Sequence, residues 1–228
     1  MEIVTSMAQT PDGGFLLSAG YGPLPRPMAL TKVNSNGGIQ WSKVFNVGQN
    51  IWEGEVYVTP EGDFLLAGAK EYGGDREVVR IKLNPQGTVL SSWRYFGSED
   101  LQMSPASMTQ DGGMIIAGQM RIQFTSSNPF CLKLDNAGYV DWCKLYLKEN
   151  TESVTAVRQT LDGGYILVGG EDQYQFSTDA HIYAIRTNQS GELMWTREYP
   201  TSVGLEAQKV EIEPTGEFLV SGDVYNNP

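Results

Sequence analysis

One phrase recurs five times in this chain, and it constrains the fold more than anything else in the sequence. It reads Gln9-Thr10-Pro11-Asp12-Gly13-Gly14-Phe15-Leu16-Leu17, then Val58-Thr59-Pro60-Glu61-Gly62-Asp63-Phe64-Leu65-Leu66. It returns as Met108-Thr109-Gln110-Asp111-Gly112-Gly113-Met114-Ile115-Ile116 and as Gln159-Thr160-Leu161-Asp162-Gly163-Gly164-Tyr165-Ile166-Leu167. A looser fifth copy is Ile212-Glu213-Pro214-Thr215-Gly216-Glu217-Phe218-Leu219-Val220. The anchors Phe15, Phe64, Met114, Tyr165 and Phe218 stand 49, 50, 51 and 53 residues apart. A period near fifty built from short strands marks a propeller-type repeat.

Within a repeat the apolar residues alternate with a period of two. In the second copy Glu55 to Thr59 leads into the Pro-Glu-Gly-Asp turn, and Phe64 to Ala69 follows as an apolar strand. Glu77 to Leu83 makes a third strand. Asn84-Pro85-Gln86-Gly87 then turns the chain into a fourth, Thr88 to Phe96. Glycine, Asp and Asn at these corners supply the positive φ and the local side-chain bonds that tight hairpins need. Four short strands per unit is the make-up of one propeller blade. No stretch sustains an apolar period of 3.6, so the expected class is all-β with little helix.

The fourth strand carries a second marker. Trp41, Trp142 and Trp195 each follow a glycine by four residues, at Gly37, Gly138 and Gly191. The second repeat has Ser91 in that slot and Trp93 two residues on, on the same strand face. Phe45, Tyr95, Tyr146 and Tyr199 lie further along that face. Equal placement in each repeat fits rings that fill the seams between neighbouring blades. Sugar-stacking rings are the functional alternative.

The combined pattern, Thr-x-Asp-Gly-Gly-aromatic-apolar-apolar and then Lys-x-Asn/Asp-x-x-Gly-x-x-x-Trp, resembles the β-propeller repeats common in secreted bacterial proteins. It is more distantly similar to quinoprotein (PQQ-type) blades, within a WD40- and PQQ-like architecture. The resemblance implies an extracellular or periplasmic location. Quinoproteins also use a vicinal Cys pair and calcium-binding carboxylates. The two cysteines here are not adjacent, so quinone binding does not carry over and no cofactor is expected, although a bound cation such as calcium stays open.

Four repeats are complete, at about 2–47, 51–96, 101–146 and 152–199, and the fifth (206–228) has two strands. The expectation is one propeller domain over 1–228 with five blade positions, the last a half blade. The strand 218–224 would then be an unpaired edge, which invites pairing. A homodimer through that edge, or membership of a longer propeller, would cover it.

Charge narrows the partners. A net charge of −11 argues against nucleic acid, because phosphate binding needs clustered Lys and Arg. No apolar run approaches the 18 residues of a membrane span, and the first residues lack the pattern of a signal peptide. Cys131 and Cys143 fall on the third and fourth strands of the third repeat. If the 135–139 hairpin pairs Leu132 with Trp142, Cys131 faces Cys143 with Cβ atoms about 4.5–5.5 Å apart, which a disulfide could bridge. Reduced space-filling thiols are the alternative.

No catalytic motif stands out. The one histidine, His181, excludes a multi-His metal site. Acids recur where the chain leads into each first strand: Glu55, Asp100, Glu152 and Glu206. Aromatics recur in the loops between second and third strands: Tyr21, Tyr72, Phe124, Tyr174 and Tyr225, with Trp52 from a lead-in segment. In a propeller these two sets share one face. Aromatic rings beside carboxylates suit a carbohydrate or protein ligand, while a solvated rim that confers solubility is the plainer reading. Three functions stay open: a noncatalytic binding or scaffold propeller, a glycosidase-like enzyme using those carboxylates, and a piece of a larger propeller protein.

Overall fold

The computed structural model describes residues 3–20, 28–45, 51–72, 75–96, 100–122, 126–147, 152–171, 181–200 and 204–225. These form eighteen strands and, among the described residues, no helix. The first sheet is β1 (Ile3–Gln9), β2 (Phe15–Gly20), β3 (Met28–Val33) and β4 (Ile39–Phe45). The second is β5 (Ile51–Val58), β6 (Phe64–Tyr72), β7 (Asp75–Leu83) and β8 (Val89–Tyr95). The third is β9 (Asp100–Met108), β10 (Met114–Ile122), β11 (Ser126–Leu134) and β12 (Val140–Leu145). The fourth is β13 (Glu152–Gln159), β14 (Tyr165–Glu171), β15 (His181–Thr187) and β16 (Leu193–Pro200). The fifth holds two strands, β17 (Gly204–Ile212) and β18 (Phe218–Tyr225).

Each four-stranded sheet is an antiparallel meander, so its first–second and third–fourth turns lie at one end. Both turns are set by side chains read directly from the sequence. Thr10 N–H donates to the Gly14 carbonyl and Gly13 N–H to that of Thr10, and the pattern repeats at Thr59, Thr109, Thr160 and Glu213. In the other turn the Asn34 carboxamide oxygen accepts from the amides of Asn36 and Gly38, as do Asn84 and Asn188 in their own turns. The turn glycines carry φ between 73° and 100°, where a Cβ is strained.

The chain divides into two compact units, 1–103 and 104–228. In the first, Leu16, Met28 and Leu30 of one sheet pack on Val56, Phe64, Leu66, Val79, Ile81 and Leu83 of the next. In the second, Ile115, Ala117 and Cys131 pack on Val157, Tyr165, Leu167, Tyr183 and Ile185. The other face of the fourth sheet, with Ala156, Ile166, Val168 and Ala184, packs on Ala207 and Val210. Alternate residues of β14 thus serve opposite seams, which is why the repeat's apolar run is unbroken. The fourth-strand tryptophans sit in these seams: Trp41 lies 6.2 Å from Phe64, Trp142 5.5 Å from Tyr165, and Trp195 6.4 Å from Phe218. The tryptophans are half-buried, and each fully buried Leu, Ile, Val or Phe beside them stabilises by roughly 1.5–3 kcal/mol.

The expected cysteine pairing is corrected. Cys131 lies opposite Lys144 and Cys143 opposite Leu132, so the two thiols point to opposite faces of the third sheet. A bulge between Lys133 and Leu134 is the cause. Leu134 pairs with Val140 while Lys133 pairs with Trp142, leaving Asp141 as the extra residue and shifting the register by one. The same bulge follows Lys32, Lys82 and Arg186. Both cysteines are free thiols, Cys131 buried and Cys143 exposed, and burial raises the pKa of each. A thiol reagent at neutral pH should therefore label Cys143 slowly and Cys131 only after unfolding. Two thiols reacting together in the native protein, or none after denaturation without reductant, would contradict this register.

Candidate functional site

The recurring Asp-Gly-Gly turn is a structural device built around a buried cation. Lys32 comes from β3, directly opposite Leu16. Its Nζ donates to Asp12 Oδ1 and Oδ2 at 3.0 and 2.9 Å, to the Val33 carbonyl at 3.0 Å and to Gln40 Oε1 at 2.9 Å. Lys133 repeats the arrangement with Asp111 Oδ2 at 2.8 Å, the Leu134 carbonyl at 2.9 Å and Asp141 Oδ2 at 3.4 Å. In the fourth sheet Arg186 reaches both oxygens of Asp162 at 2.5 and 2.7 Å. A cation withdrawn from water needs this full set of acceptors.

The threonine and the second glycine of the motif complete the device. Thr10, Thr109 and Thr160 donate to the Asp carboxylates at 2.6, 2.5 and 2.6 Å. A Cβ on Gly14, Gly113 or Gly164 would stand 2.1, 2.2 or 2.3 Å from the carbonyl of Val33, Leu134 or Thr187. The second repeat writes Asp63 at that position, and its cation follows suit. Lys82 pairs with Asp63 itself at 3.1 Å, and its side chain is 20% exposed against 4% for Lys32 and Lys133.

These contacts hold the turn acids ionised. The Thr10 hydroxyl and then Lys32 lower the pKa of Asp12, and Thr160 foremost lowers that of Asp162. For Asp111 partial burial pushes upward, but the bonds from Lys133 and Thr109 outweigh it and bring the pKa to about 2. At Glu61 its own backbone amide leads and Thr59 adds to the lowering. A carboxyl serving as general acid near neutrality needs the opposite displacement.

Between the third and fourth sheets, at the end carrying these turns, lies an open groove of about 460 Å³. Trp142 and Tyr165 line it together with Asp111, Lys133 and Asp141. Gln110, Gln159 and Gln189 supply carboxamides around it. Gln159 is oriented at both ends: its Oε1 accepts from the Gln110 amide at 2.7 Å and its Nε2 donates to the Gly163 carbonyl at 3.1 Å. The signal was present in the repeat alignment. Gln110 stands where other copies have Pro11, Pro60 and Leu161, and Gln189 where they have Ser35, Pro85 and Asn136. Reading the repeats for sameness passes over such exceptions.

Most of the singled-out residues that lie on described strands stand toward the other end of the sheets. Glu55 sits on β5, and its carboxylate accepts from the Tyr57 hydroxyl. Trp52, Tyr72, Asp100, Glu152, Glu206 and Tyr225 lie on β5, β6, β9, β13, β17 and β18, with side chains outside the described residues. Tyr21, Phe124 and Tyr174 lie outside them entirely. The backbone register sets Tyr72 opposite Asp75, Glu152 opposite Glu171 and Glu206 opposite Asp223, away from the turn glycines. Among the described residues no three His, Cys, Asp or Glu come together as a metal site. No described helix is long and apolar enough to cross a membrane.

No protein-family model matches the chain, and no curated protein matches it in sequence. Solved structures do. An endo-arabinase from Bacteroides thetaiotaomicron VPI-5482 superposes with a TM-score of 0.60 at 12% identity, covering 97% of this chain and 89% of that one. A protein of unknown function from Dyadobacter fermentans DSM 18053 gives 0.66 at 12% identity, covering 95% and 73%. An ulvan lyase of polysaccharide lyase family PL25 gives 0.62 at 10% identity, covering 90% of this chain and 57% of the lyase. At such identities the likeness is one of fold. With its succession of four-stranded antiparallel meanders, the chain is an all-β protein of the β-propeller class, with five sheets among the described residues.

Proposed function

We propose that the chain is a noncatalytic binding propeller for carbohydrate, with the groove between the third and fourth sheets as its site. The groove's composition carries this reading. A tryptophan edge beside three carboxamides and a half-exposed carboxylate offers a sugar an apolar face and in-plane hydrogen bonds together. Two of its ionisable groups are committed: Lys133 is saturated, and Asp111 is held ionised by its donors. Recognition is the chemistry this arrangement favours, since the Asp111 carboxyl is held in the form that cannot donate a proton. The arabinase and the ulvan lyase among the similar structures support the ligand class.

A glycan array combined with a hydrolysis screen tests this. Binding without release of sugar is expected, and Gln189→Ala, an exposed turn residue, should weaken it about tenfold without altering stability. Glu55→Gln should leave binding unchanged. Loss of binding with Glu55→Gln alone would move the site away from the groove to β5. Sugar release abolished by Glu55→Gln would favour the enzymatic reading. An array with no glycan bound would reject the carbohydrate reading.

A further inference from the structure

The ion pairs of the Asp-Gly-Gly turns are oriented. In the first, third and fourth sheets the cation lies inside and the acid faces water. Side-chain exposure is 4% for Lys32 against 50% for Asp12, 4% for Lys133 against 56% for Asp111, and 7% for Arg186 against 65% for Asp162. Chain geometry is the cause. The base projects from the third strand and also donates to a backbone carbonyl, that of Val33, Leu134 or Thr187. The acid stands in the turn itself. A pair that is neutral in sum therefore shows the solvent its negative half. The second sheet, with Asp63 in place of the glycine, exposes both partners alike.

At the groove this polarity meets neutral hydrogen-bonding groups. The one ammonium in its lining, Lys133, is taken up by Asp111, the Leu134 carbonyl and Asp141. Arg186, the base of the adjoining sheet's turn, is likewise taken up by both oxygens of Asp162. Among the described lining residues no cation is left for an anionic ligand, whereas the Asp141 side chain is 44% exposed. The carboxamides of Gln110, Gln159 and Gln189 by contrast both donate and accept. Gln110 is a departure from the repeat. At the same position Pro11 and Leu161 approach the next sheet's turn, each with a side-chain carbon 3.9 Å from the Cβ that Gly62 or Gly216 would carry. Gln110 puts a carboxamide where those seams have an apolar side chain.

We infer that the groove is selective for neutral glycans and rejects those carrying uronate or sulfate groups, with Asp141 and the outward-facing Asp111 as the residues that exclude them. This selectivity rests on the groove being the carbohydrate site. A neutral sugar hydroxyl donates to the Asp141 carboxylate and exchanges bonds with the carboxamides. A carboxylate or sulfate on the ligand meets like charge at the same place, with no cation to offset it. The lining holds two carboxylates against one enclosed ammonium, so the groove concentrates negative potential.

The test ranks the hits of a glycan array by charge, with galactan, polygalacturonate and a sulfated galactan among the probes. Binding confined to uncharged glycans is expected, with polygalacturonate about tenfold or more below the neutral hits. Gln189→Lys adds an uncommitted cation at the groove. It should raise polygalacturonate binding about tenfold in low salt, and the gain should vanish in about 1 M salt, where the Debye length is about 3 Å. Ser35→Lys places the same charge at the same turn position of the first sheet and should leave polygalacturonate binding unchanged. Uronate or sulfated glycans bound as tightly as neutral ones would overturn the selectivity while leaving the groove a carbohydrate site. So would no gain from Gln189→Lys, or an equal gain from Ser35→Lys, which would trace the discrimination to net charge. An array with no glycan of any charge bound would overturn the site itself, and the selectivity with it.

Discussion

Gly113→Ala is expected to cost about 3 kcal/mol or more, among the largest effects of any single methyl group in this chain. The added Cβ would stand 2.2 Å from the Leu134 carbonyl and 2.7 Å from Lys133 Nζ. Neither neighbour can yield. The carbonyl belongs to a strand held on both sides, and the ammonium is buried with Leu134 and Asp111 as acceptors. Gly112→Ala is the matched control: its φ of 77° makes alanine strained, but the nearest atom to its Cβ would be Asn136 Cβ at 3.7 Å. That change should cost about 1–2 kcal/mol. The second repeat supplies a natural comparison, since it carries Asp63 at the Gly113 position and leaves Lys82 partly in water. Urea unfolding of the three variants Gly112→Ala, Gly113→Ala and Asp63→Gly decides the matter. A Gly113→Ala midpoint equal to that of Gly112→Ala would show that the close approach has no energetic weight.

How far this was legible follows from what the repeat encodes. Strand number, turn positions and the seam role of Trp41, Trp142 and Trp195 are each written several times over, so periodicity alone recovers them. The bulge is written several times too, yet it was not foreseen. Nothing in a residue type marks Gln40, Leu90, Asp141 or Met194 as extra. The role of the Lys or Arg before the bulge was hidden as well. Lys32 and Asp12 are 20 residues apart, and only the β2–β3 register brings them together. The acids of the lead-in segments and the aromatics of the second–third-strand loops fall mostly where side chains are not described. The groove arises from departures, Gln110 and Gln189, and departures have no period to reveal them.

The buried cation leads to the second large effect, whose sign depends on which partner is removed. Lys133 is enclosed whereas Asp111 is more than half exposed, at 4% and 56%. Removing the acid leaves an enclosed charge with only the Leu134 carbonyl and the longer Asp141 contact at 3.4 Å, and removing the base leaves a carboxylate that water can reach. Asp111→Asn should therefore cost about 2–3 kcal/mol at pH 7, while Lys133→Met should cost roughly 1 kcal/mol. Asn keeps an oxygen for the Thr109 hydroxyl and the Gly113 amide, so the difference isolates the counter-ion. Acid gives an independent reading. The Asp111 pKa falls from 3.8 to about 2 on folding, so its contribution is present in full above about pH 4 and is lost as the pH drops through 2. Wild type should lose stability over that window, and Asp111→Asn should lose less, so the two curves converge near pH 2. Curves that stay parallel down to pH 2, or a Lys133→Met loss exceeding that of Asp111→Asn, would show that the turn does not depend on this ion pair.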